Sequence, residues 1–428
     1  MNAGIPTGKL APQSWMTSPE TLAVVAALEA GGREARFIGG CVRDSILKMP
    51  VKDIDIATPE PPERVLSLLQ DAGIKAIPTG IDHGTITAVI DDKHYEVTTL
   101  RVDVETDGRR ATVAFTDDWL ADALRRDFTI NTLSCTVDGD IYDPLTGLED
   151  LGAKWVRFVG NAHERIEEDV LRLLRFFRFY ATYGKPQPDI DALQGCRLLA
   201  PRLKELSAER VCGELFRTLL APNPADTMLL MNGERVLEHI LLEATDFGCL
   251  RMVSWLESTA IRVDSIRPDP VRRLASMLSP DETGYPDLGH RLHLSNAQAE
   301  RLSVMTRKPV VPDPDMSEPQ RRRALYHLGP DHFRDLIIIQ WASELSINPR
   351  HPAERTESWL GLLADTDNWE PVSFPLLGRD VLALGMEPGP AVGELIKKVE
   401  QWWEDGNFQA DRQQCLDELQ TVIKRGHS

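Results

Sequence analysis

The sequence predicts an α+β chain: a mixed sheet with helices up to about residue 160, then helices alone to residue 428. Three observations carry this. Period-2 alternation and short apolar runs are confined to the first 160 residues. Beyond Val159, apolar residues recur at helical spacing in IEEDVLRLLRFFRFYATY, AERVCGELFRTLL, PVRRLASMLS, FRDLIIIQWASEL and AVGELIKKVEQWWED. Proline clusters at Pro186–Pro188, Pro222–Pro224 and Pro309–Pro314 separate those segments.

Each element of the mixed half has its own signal. Helical spacing runs through Thr21 to Leu28 (TLAVVAAL). A short strand, Arg36 to Ile38, stops at Gly39-Gly40, and VRDSILK follows as a helix. Lys52 to Thr58 (KDIDIAT) alternates charged and apolar residues, as a half-buried strand does. Pro61 opens the helix PPERVLSLLQDAG, which ends on a glycine. TITAVI and YEVTTLRV flank Asp91-Asp92-Lys93 and predict a hairpin. A helix around Trp119 to Arg126 leads into TINTLSCTV and IYDP.

Composition narrows the function. The chain is 42% hydrophobic and 27% charged, with a formal net charge of −18. That argues against a uniformly basic nucleic-acid coat but leaves room for a local basic face. No apolar run approaches the ~20 residues that span a bilayer. The segment MNAGIPTGKLAPQSW lacks the apolar core of a signal peptide. Six cysteines, at 41, 135, 196, 212, 249 and 415, form no C-x-x-C pair, so zinc ribbons and redox pairs are not signalled. Reduced cysteines and a cytoplasmic location are expected.

The chemistry starts with Asp53 and Asp55. Residues i and i+2 of a strand share a face, so KDIDIAT presents two carboxylates side by side with Ile54 and Ile56 behind them. Adjacent carboxylates repel unless protonated or bridged by a cation. Mg²⁺ suits this pair, because it takes one or two protein carboxylates plus phosphate oxygens. Such ions can hold the attacking and leaving oxygens of a phosphoryl transfer. Gly39-Gly40 before a helix lets backbone approach a phosphate, and Arg43 adds a cation one turn in. A D-x-D alone is often a solvated strand face, and Gly-Gly alone is often only a turn. The order strand, Gly-Gly, helix, strand, D-x-D is much less frequent by chance.

The stretch FIGGCVRDSILKMPVKDIDIAT resembles the polymerase-β-like nucleotidyltransferases, and more narrowly the class II tRNA nucleotidyltransferases (CCA-adding enzymes) and bacterial poly(A) polymerases. HGTITAVI, YEVTTLR, RRDFTIN, DPLTGLEDL, EEDVLRLLRFFRF and AERVCGELFRTLL follow in the family's order, over roughly residues 35 to 220. The resemblance implies a catalytic head at 1–160, a helical neck that recognises the nucleobase at 161–225, and an RNA-binding helical body and tail at 226–428. It implies addition of CCA to the tRNA 3′ end from CTP and ATP, with Mg²⁺ held by Asp53 and Asp55. Glu96 is a third candidate metal ligand, ranked below that pair. In RRDFTIN, Arg126 and Asp127 are implied nucleotide contacts, and Asn131 is structural or near the sugar. Residues 106–110 (TDGRR) are expected to form a flexible loop that shapes the site.

Asp169 and Arg172 stand at i and i+3 of an expected helix, and Arg175 and Arg178 continue the row. A surface ion-pair ladder is the commoner fate of such a row. Leu173, Leu174, Phe176 and Phe177 crowd it, as a pocket wall requires. Cytosine and adenine each offer an amino donor beside a ring-nitrogen acceptor, which a carboxylate and a guanidinium complement. Uracil and guanine reverse both positions and are refused. The resemblance assigns base pairing to Asp169 and Arg172 and nucleotide contacts to Arg175 and Arg178. A row of basic residues (Arg172, Arg175, Arg178, Lys185, Arg197, Arg202, Lys204, Arg210, Arg217) predicts a positive groove for an RNA acceptor arm. Poly(A) polymerase, partial CC- or A-addition, transfer to another acceptor, and a non-catalytic RNA-binding protein remain open.

Overall fold

The computed structural model describes residues 4–106, 111–260, 266–350 and 352–426. The chain divides into two compact units, Met1–Leu242 and Glu243–Ser428.

In the first unit, β1 (Gly8–Lys9) leads to α1 (Pro19–Glu29). The Ser18 side chain accepts from the Thr21 N–H and Pro19 occupies the first turn, which together start α1. The buried strand β2 (Arg36–Ile38) runs into Gly39, whose φ of +65° lets the chain reverse into α2 (Gly40–Ile46). Then come β3 (Ile54–Thr58), α3 (Pro62–Asp71), β4 (Lys75–Gly80), β5 (Thr85–Ile90) and β6 (Lys93–Thr99). A separate hairpin, β7 (Arg101–Thr106) and β8 (Ala111–Phe115), precedes α4 (Trp119–Leu124), which Asp118 caps. The short strands β9 (Ser134–Cys135) and β10 (Asp140–Tyr142) complete the sheet.

The sheet has eight strands in the order β1-β10-β9-β2-β3-β6-β5-β4. Among the described residues only β3 and β6 pair in parallel, with Asp55 opposite Glu96 and Ile56 opposite Val97. One face carries Phe37, Ile56, Ile86, Tyr95 and Val97, all buried. The opposite face carries Asp55 and Glu96, because alternate side chains leave a strand on opposite sides.

Helices follow: α5 (Gly147–Ala153), α6 (Ala162–Glu168), α7 (Leu171–Tyr183), α8 (Ile190–Leu199), α9 (Ala208–Leu219) and α10 (Pro224–Gly233). An aromatic cluster fastens α7 to the sheet-bearing part. Phe128 lies 4.8 Å from Phe158 and 5.0 Å from Phe179, and Phe158 lies 5.8 Å from Phe176, between ring centroids. Each such buried ring stabilises by ~2–3 kcal/mol.

The α+β organisation is as expected, and among the described residues beyond Val159 there is no strand. Several local readings need correction. β1 and β4 carry no alternation that could have announced them. KDIDIAT is strand only from Ile54, so Asp53 sits just ahead of β3. YEVTTLRV is broken at buried Leu100, whose N–H donates to the Thr58 carbonyl and whose carbonyl accepts from Thr116 N–H. That diverts the chain from the main sheet into β7. The expected loop at 106–110 falls, beyond Thr106, outside the described residues. IEEDVLRLLRFFRFYATY is two helices, because Asp169 adopts extended backbone (φ −148°, ψ 106°) and its carboxylate accepts from Leu171 N–H.

The second unit is helical, from Phe247–Trp255 to Arg412–Gly426. Its longest helix, Glu318–Ile347, kinks at Gly329-Pro330. In the core of this unit, the buried Glu257 carboxylate accepts from both Arg272 and Arg273, and Asp335 from Arg272 and Arg301. No helix among the described residues is long and apolar enough to cross a membrane.

Candidate active site

The site is built where β2 ends at the Gly39 turn and β3 and β6 begin beside it. Gly39 N–H donates to Leu133 O, and a Cβ on this glycine would lie 3.6 Å from Arg126 Nη1. The turn and Arg126 are therefore neighbours, although 87 positions separate them in sequence. Asp55 stands in register with Glu96 across β3 and β6. Burial, then the Glu96 charge, push the Asp55 carboxyl up to about 6; Arg126 pulls it down, and Asp53 adds a smaller upward push. The field at Asp55 thus places Asp53, Asp55, Glu96 and Arg126 in one electrostatic neighbourhood. Three carboxylates and one guanidinium leave local negative charge that a cation would relieve.

Asp53 is exposed and Asp55 half-buried, while Ile56 is fully buried. Among the described residues no group of three or more His, Cys, Asp or Glu side chains forms a ready cage for a metal. A pair of carboxylates at the start of a strand, one just ahead of it and one in it, fits an ion that draws its other oxygens from a phosphate and water.

Arg126 is held by a residue the sequence reading passed over. Asp122 is only 4% exposed and accepts from Arg126 Nη2 at 2.9 Å, Arg125 Nε at 2.9 Å and the Arg101 amide at 3.3 Å. Burial opposes its ionisation, but Arg126 and Arg125 hold the Asp122 carboxyl below the usual carboxylate range. The signal was present as D-x-x-R-R, an i, i+3 and i+4 pattern across the last turn and C-cap of α4.

The second group lies at the junction of α6 and α7. Asp169 and Arg172 do not bond through their side chains to each other. Asp169 accepts from Arg210 Nη2 on α9 at 3.0 and 3.1 Å. Arg172 pairs with Glu168 and donates to the carbonyls of Arg165 (3.0 Å) and Arg125 (3.3 Å). Arg165 likewise donates to the Arg126 carbonyl at 2.8 Å. The α6–α7 junction and Arg126 thus meet at the C-terminal end of α4. Because Asp169 precedes α7, the expected helical row begins at Arg172; Arg175 and Arg178 do continue it.

Other expected contacts face inward. Asp127 is 8% exposed and accepts from Arg175, Asn131 and its neighbour's Phe128 N–H. Arg43 is buried and donates to Asn131 and Asp44. Arg178 pairs with Glu214, a carboxylate only 1% exposed that also holds Arg217. Asp127 and Arg43, expected at the nucleotide, thus also make hydrogen bonds within the fold, and Arg43 Nη2 lies 3.7 Å from where a Cβ on Gly40 would stand. The seven arginines of the basic row each pair with a carboxylate, namely Glu168, Asp127, Glu214, Glu234, Glu205 and Asp169, with Glu214 taking two. Seven of the nine residues of that row are therefore ion-paired within the fold.

Comparisons with known proteins agree with this arrangement. Residues 35–157 match the poly A polymerase head domain, and residues 187–247 match the probable RNA and SrmB-binding site of polymerase A. The mitochondrial CCA tRNA nucleotidyltransferase 1 of Homo sapiens is 34% identical over 404 residues, covering 92% of this chain and 87% of the relative. The CCA-adding enzyme of Streptococcus pneumoniae is 40% identical over 406 residues, covering 92% and 95%. The Bacillus stearothermophilus CCA-adding enzyme, solved in complex with CTP, shares the fold with a TM-score of 0.75 at 24% identity, over 96% of this chain and 99% of that one. The chain belongs to the family of CCA-adding tRNA nucleotidyltransferases and bacterial poly(A) polymerases.

Proposed function

We propose that this chain adds cytidine, cytidine and adenosine to the 3′ end of tRNA, using CTP and ATP and releasing pyrophosphate. The observation that carries this is the gathering of Asp53, Asp55 and Arg126 beside the Gly39 turn. Relatives covering more than nine-tenths of the chain bear that activity in their names.

Asp53 and Asp55 would hold Mg²⁺, with Glu96 as a third carboxylate. The bound ion supplies positive charge against the triphosphate oxygens and lowers the cost of the attacking ribose oxygen's charge. Gly39 and Gly40 allow the backbone close to the triphosphate, and Arg126 adds a charge-assisted contact. Asp169 and Arg172 would read the base, the carboxylate accepting from the exocyclic amine and the guanidinium donating to the ring nitrogen. Arg178 lines the same face of α7. The 3′-hydroxyl of the RNA attacks the α-phosphate, and the bond to pyrophosphate breaks. To meet a base, Asp169 exchanges its bond to Arg210, and Arg172 its pair with Glu168. Because these partners are themselves ionic, wrong bases pay the loss without the gain.

Within this reading the head spans 1–160, the base-reading neck 161–225 and the RNA-binding part 226–428. A cytoplasmic location belongs to the same proposal, and six free, buried cysteines suit a reducing compartment. The family models named for poly(A) polymerase favour one second reading, addition of A alone. The test is incubation with tRNA lacking its tail, Mg²⁺ and each NTP, singly and together. C followed by A supports CCA addition; long A tracts support the second reading; no incorporation overturns both.

A further inference from the structure

The segment ahead of α1 runs along the sheet as a strap. Thr7 N–H donates to the Ile141 carbonyl and Leu10 N–H to the Gly139 carbonyl, both at 2.7 Å, which fastens its start beside β10. Leu10 and Met16 are buried. Trp15, between them, stands at a crossing. Its indole Nε1–H donates to Ser45 Oγ on α2 at 3.0 Å, and its ring meets the Phe37 ring of β2 edge-on, 4.8 Å between centroids. Its carbonyl accepts from the Thr21 hydroxyl at 2.7 Å. A hydroxyl has one proton to give, so the Tyr95 hydroxyl of β6 is the donor to Thr21 Oγ1 at 3.1 Å.

The two ends of this chain of bonds are the two supports of the site. α2 begins at the Gly39-Gly40 turn and carries Arg43, and Ser45 follows Gly40 by five residues. Tyr95 stands opposite Ile54, which Asp53 directly precedes, and the next pair in register is Asp55 with Glu96. Successive strand residues point to opposite faces, so the bonds act from the face away from the Asp55 and Glu96 carboxylates. Thr21, Ser45 and Tyr95 are all buried, and a buried polar group that loses its partner finds no water to replace it.

We infer that Trp15 is a positioning residue: it ties α2 to β6 and so sets the Gly39-Gly40 turn, which receives the triphosphate, at a fixed place relative to the strands that carry the carboxylates. This rests on the nucleotide-transfer reading above and deepens it. Over the five residues from Gly40 to Ser45, about 7.5 Å, a tilt of about 10° displaces one end of α2 against the other by about 1.3 Å, the scale at which oriented contacts fail. One net hydrogen bond holds the competent pose by a factor of up to about five. Nucleotide binding draws α2 back into that pose, so the loss of the bond shows in affinity and not in the saturated rate. The base is read on the α7 side, so CTP and ATP weaken alike.

The experiment titrates CTP and ATP, with Mg²⁺ and without tRNA, onto wild-type protein, Trp15→Phe, Ser45→Ala and the double variant; melting curves and saturated rates of C and A addition are recorded alongside. Wild type must first add C and A; if it does not, the functional reading fails before the strap is tested. Trp15→Phe keeps an aromatic ring against Phe37 and loses the Nε1–H donor. It and Ser45→Ala should each raise the Kd for CTP and for ATP by about three- to fivefold, with saturated rates within about twofold of wild type. The double variant should bind no more weakly than either single one, because both remove the same bond. If Trp15→Phe does not fold, Ser45→Ala decides alone. Folded variants that melt lower but keep both Kd values would make Trp15 a packing residue only and overturn the proposal. Losses that multiply in the double variant, or that fall on one nucleotide alone, would overturn it as well.

Discussion

Replacing Asp122 by Asn is isosteric, yet it should cost more than most surface changes. The carboxylate receives Arg126 and Arg125 through two nitrogens each, and the Arg101 amide. Asparagine keeps one acceptor and turns an N–H₂ toward a guanidinium. Each charge-assisted bond to a buried partner contributes ~1.5–3 kcal/mol. The two arginine side chains are 17% and 18% exposed and recover part of that from water. The net loss in unfolding free energy is therefore about 2–4 kcal/mol, read by urea titration at pH 7. The pH dependence has a definite sign. Asp122 titrates below its unfolded value, so its contribution is present above about pH 4 and vanishes as pH falls through the folded-state value. Wild type and variant should converge in acid. Function should move with stability, since Arg126 loses its anchor beside Gly39: KM for CTP should rise about tenfold, ~1.4 kcal/mol. A variant within ~0.5 kcal/mol of wild type at pH 7, with KM unchanged, refutes the idea that Asp122 organises this corner.

Further expectations follow from the same geometry. Asp55→Asn should stabilise the metal-free protein at pH 8 by up to about 2–3 kcal/mol and do nothing at pH 4. The reason is that a carboxyl held up at about 6 is costly to ionise in the fold; equal stability of the two proteins at pH 8 would contradict this. Asp53→Asn with Asp55→Asn should abolish incorporation while tRNA still binds in a gel-shift assay; retained turnover places the metal elsewhere. Glu214→Gln strands Arg178 and Arg217 and should destabilise by ~3 kcal/mol on thermal melting, whereas Glu205→Gln, on an exposed pair, should change little. Thiol titration of the native protein should find all six cysteines slow to react and accessible only in denaturant, because each is buried.

What the sequence revealed follows from where the physics is local. The D-x-D alternation, the Gly-Gly turn and the hairpin about Asp91 depend on nearest neighbours, and each is present, although Asp53 precedes its strand. The mixed sheet and helical remainder were equally legible from period alone. Asp169 was misplaced because its short side chain caps the next helix, so an apparently continuous pattern conceals a break at that point. Leu100 ended a strand through hydrogen bonds to Thr58 and Thr116, partners from two other segments. What spacing could not reveal was the set of partners the arginines hold within the fold. Arg175 and Arg178 pair with carboxylates 48 and 36 positions away, and Arg43 donates to the Asn131 amide 88 positions away, and no spacing rule anticipates such partners. Glu214 looked like an ordinary residue of an amphipathic helix until its two arginines were in place.

The most direct measurement is a crystal of the protein soaked with CTP and Mn²⁺, read by anomalous scattering. We expect metal density bonded to oxygens of both Asp53 and Asp55 at about 2.0–2.2 Å, shared with the triphosphate, and cytosine between Asp169 and Arg172. Metal and triphosphate bound away from these two aspartates would contradict the assignment of this corner as the site of nucleotide transfer.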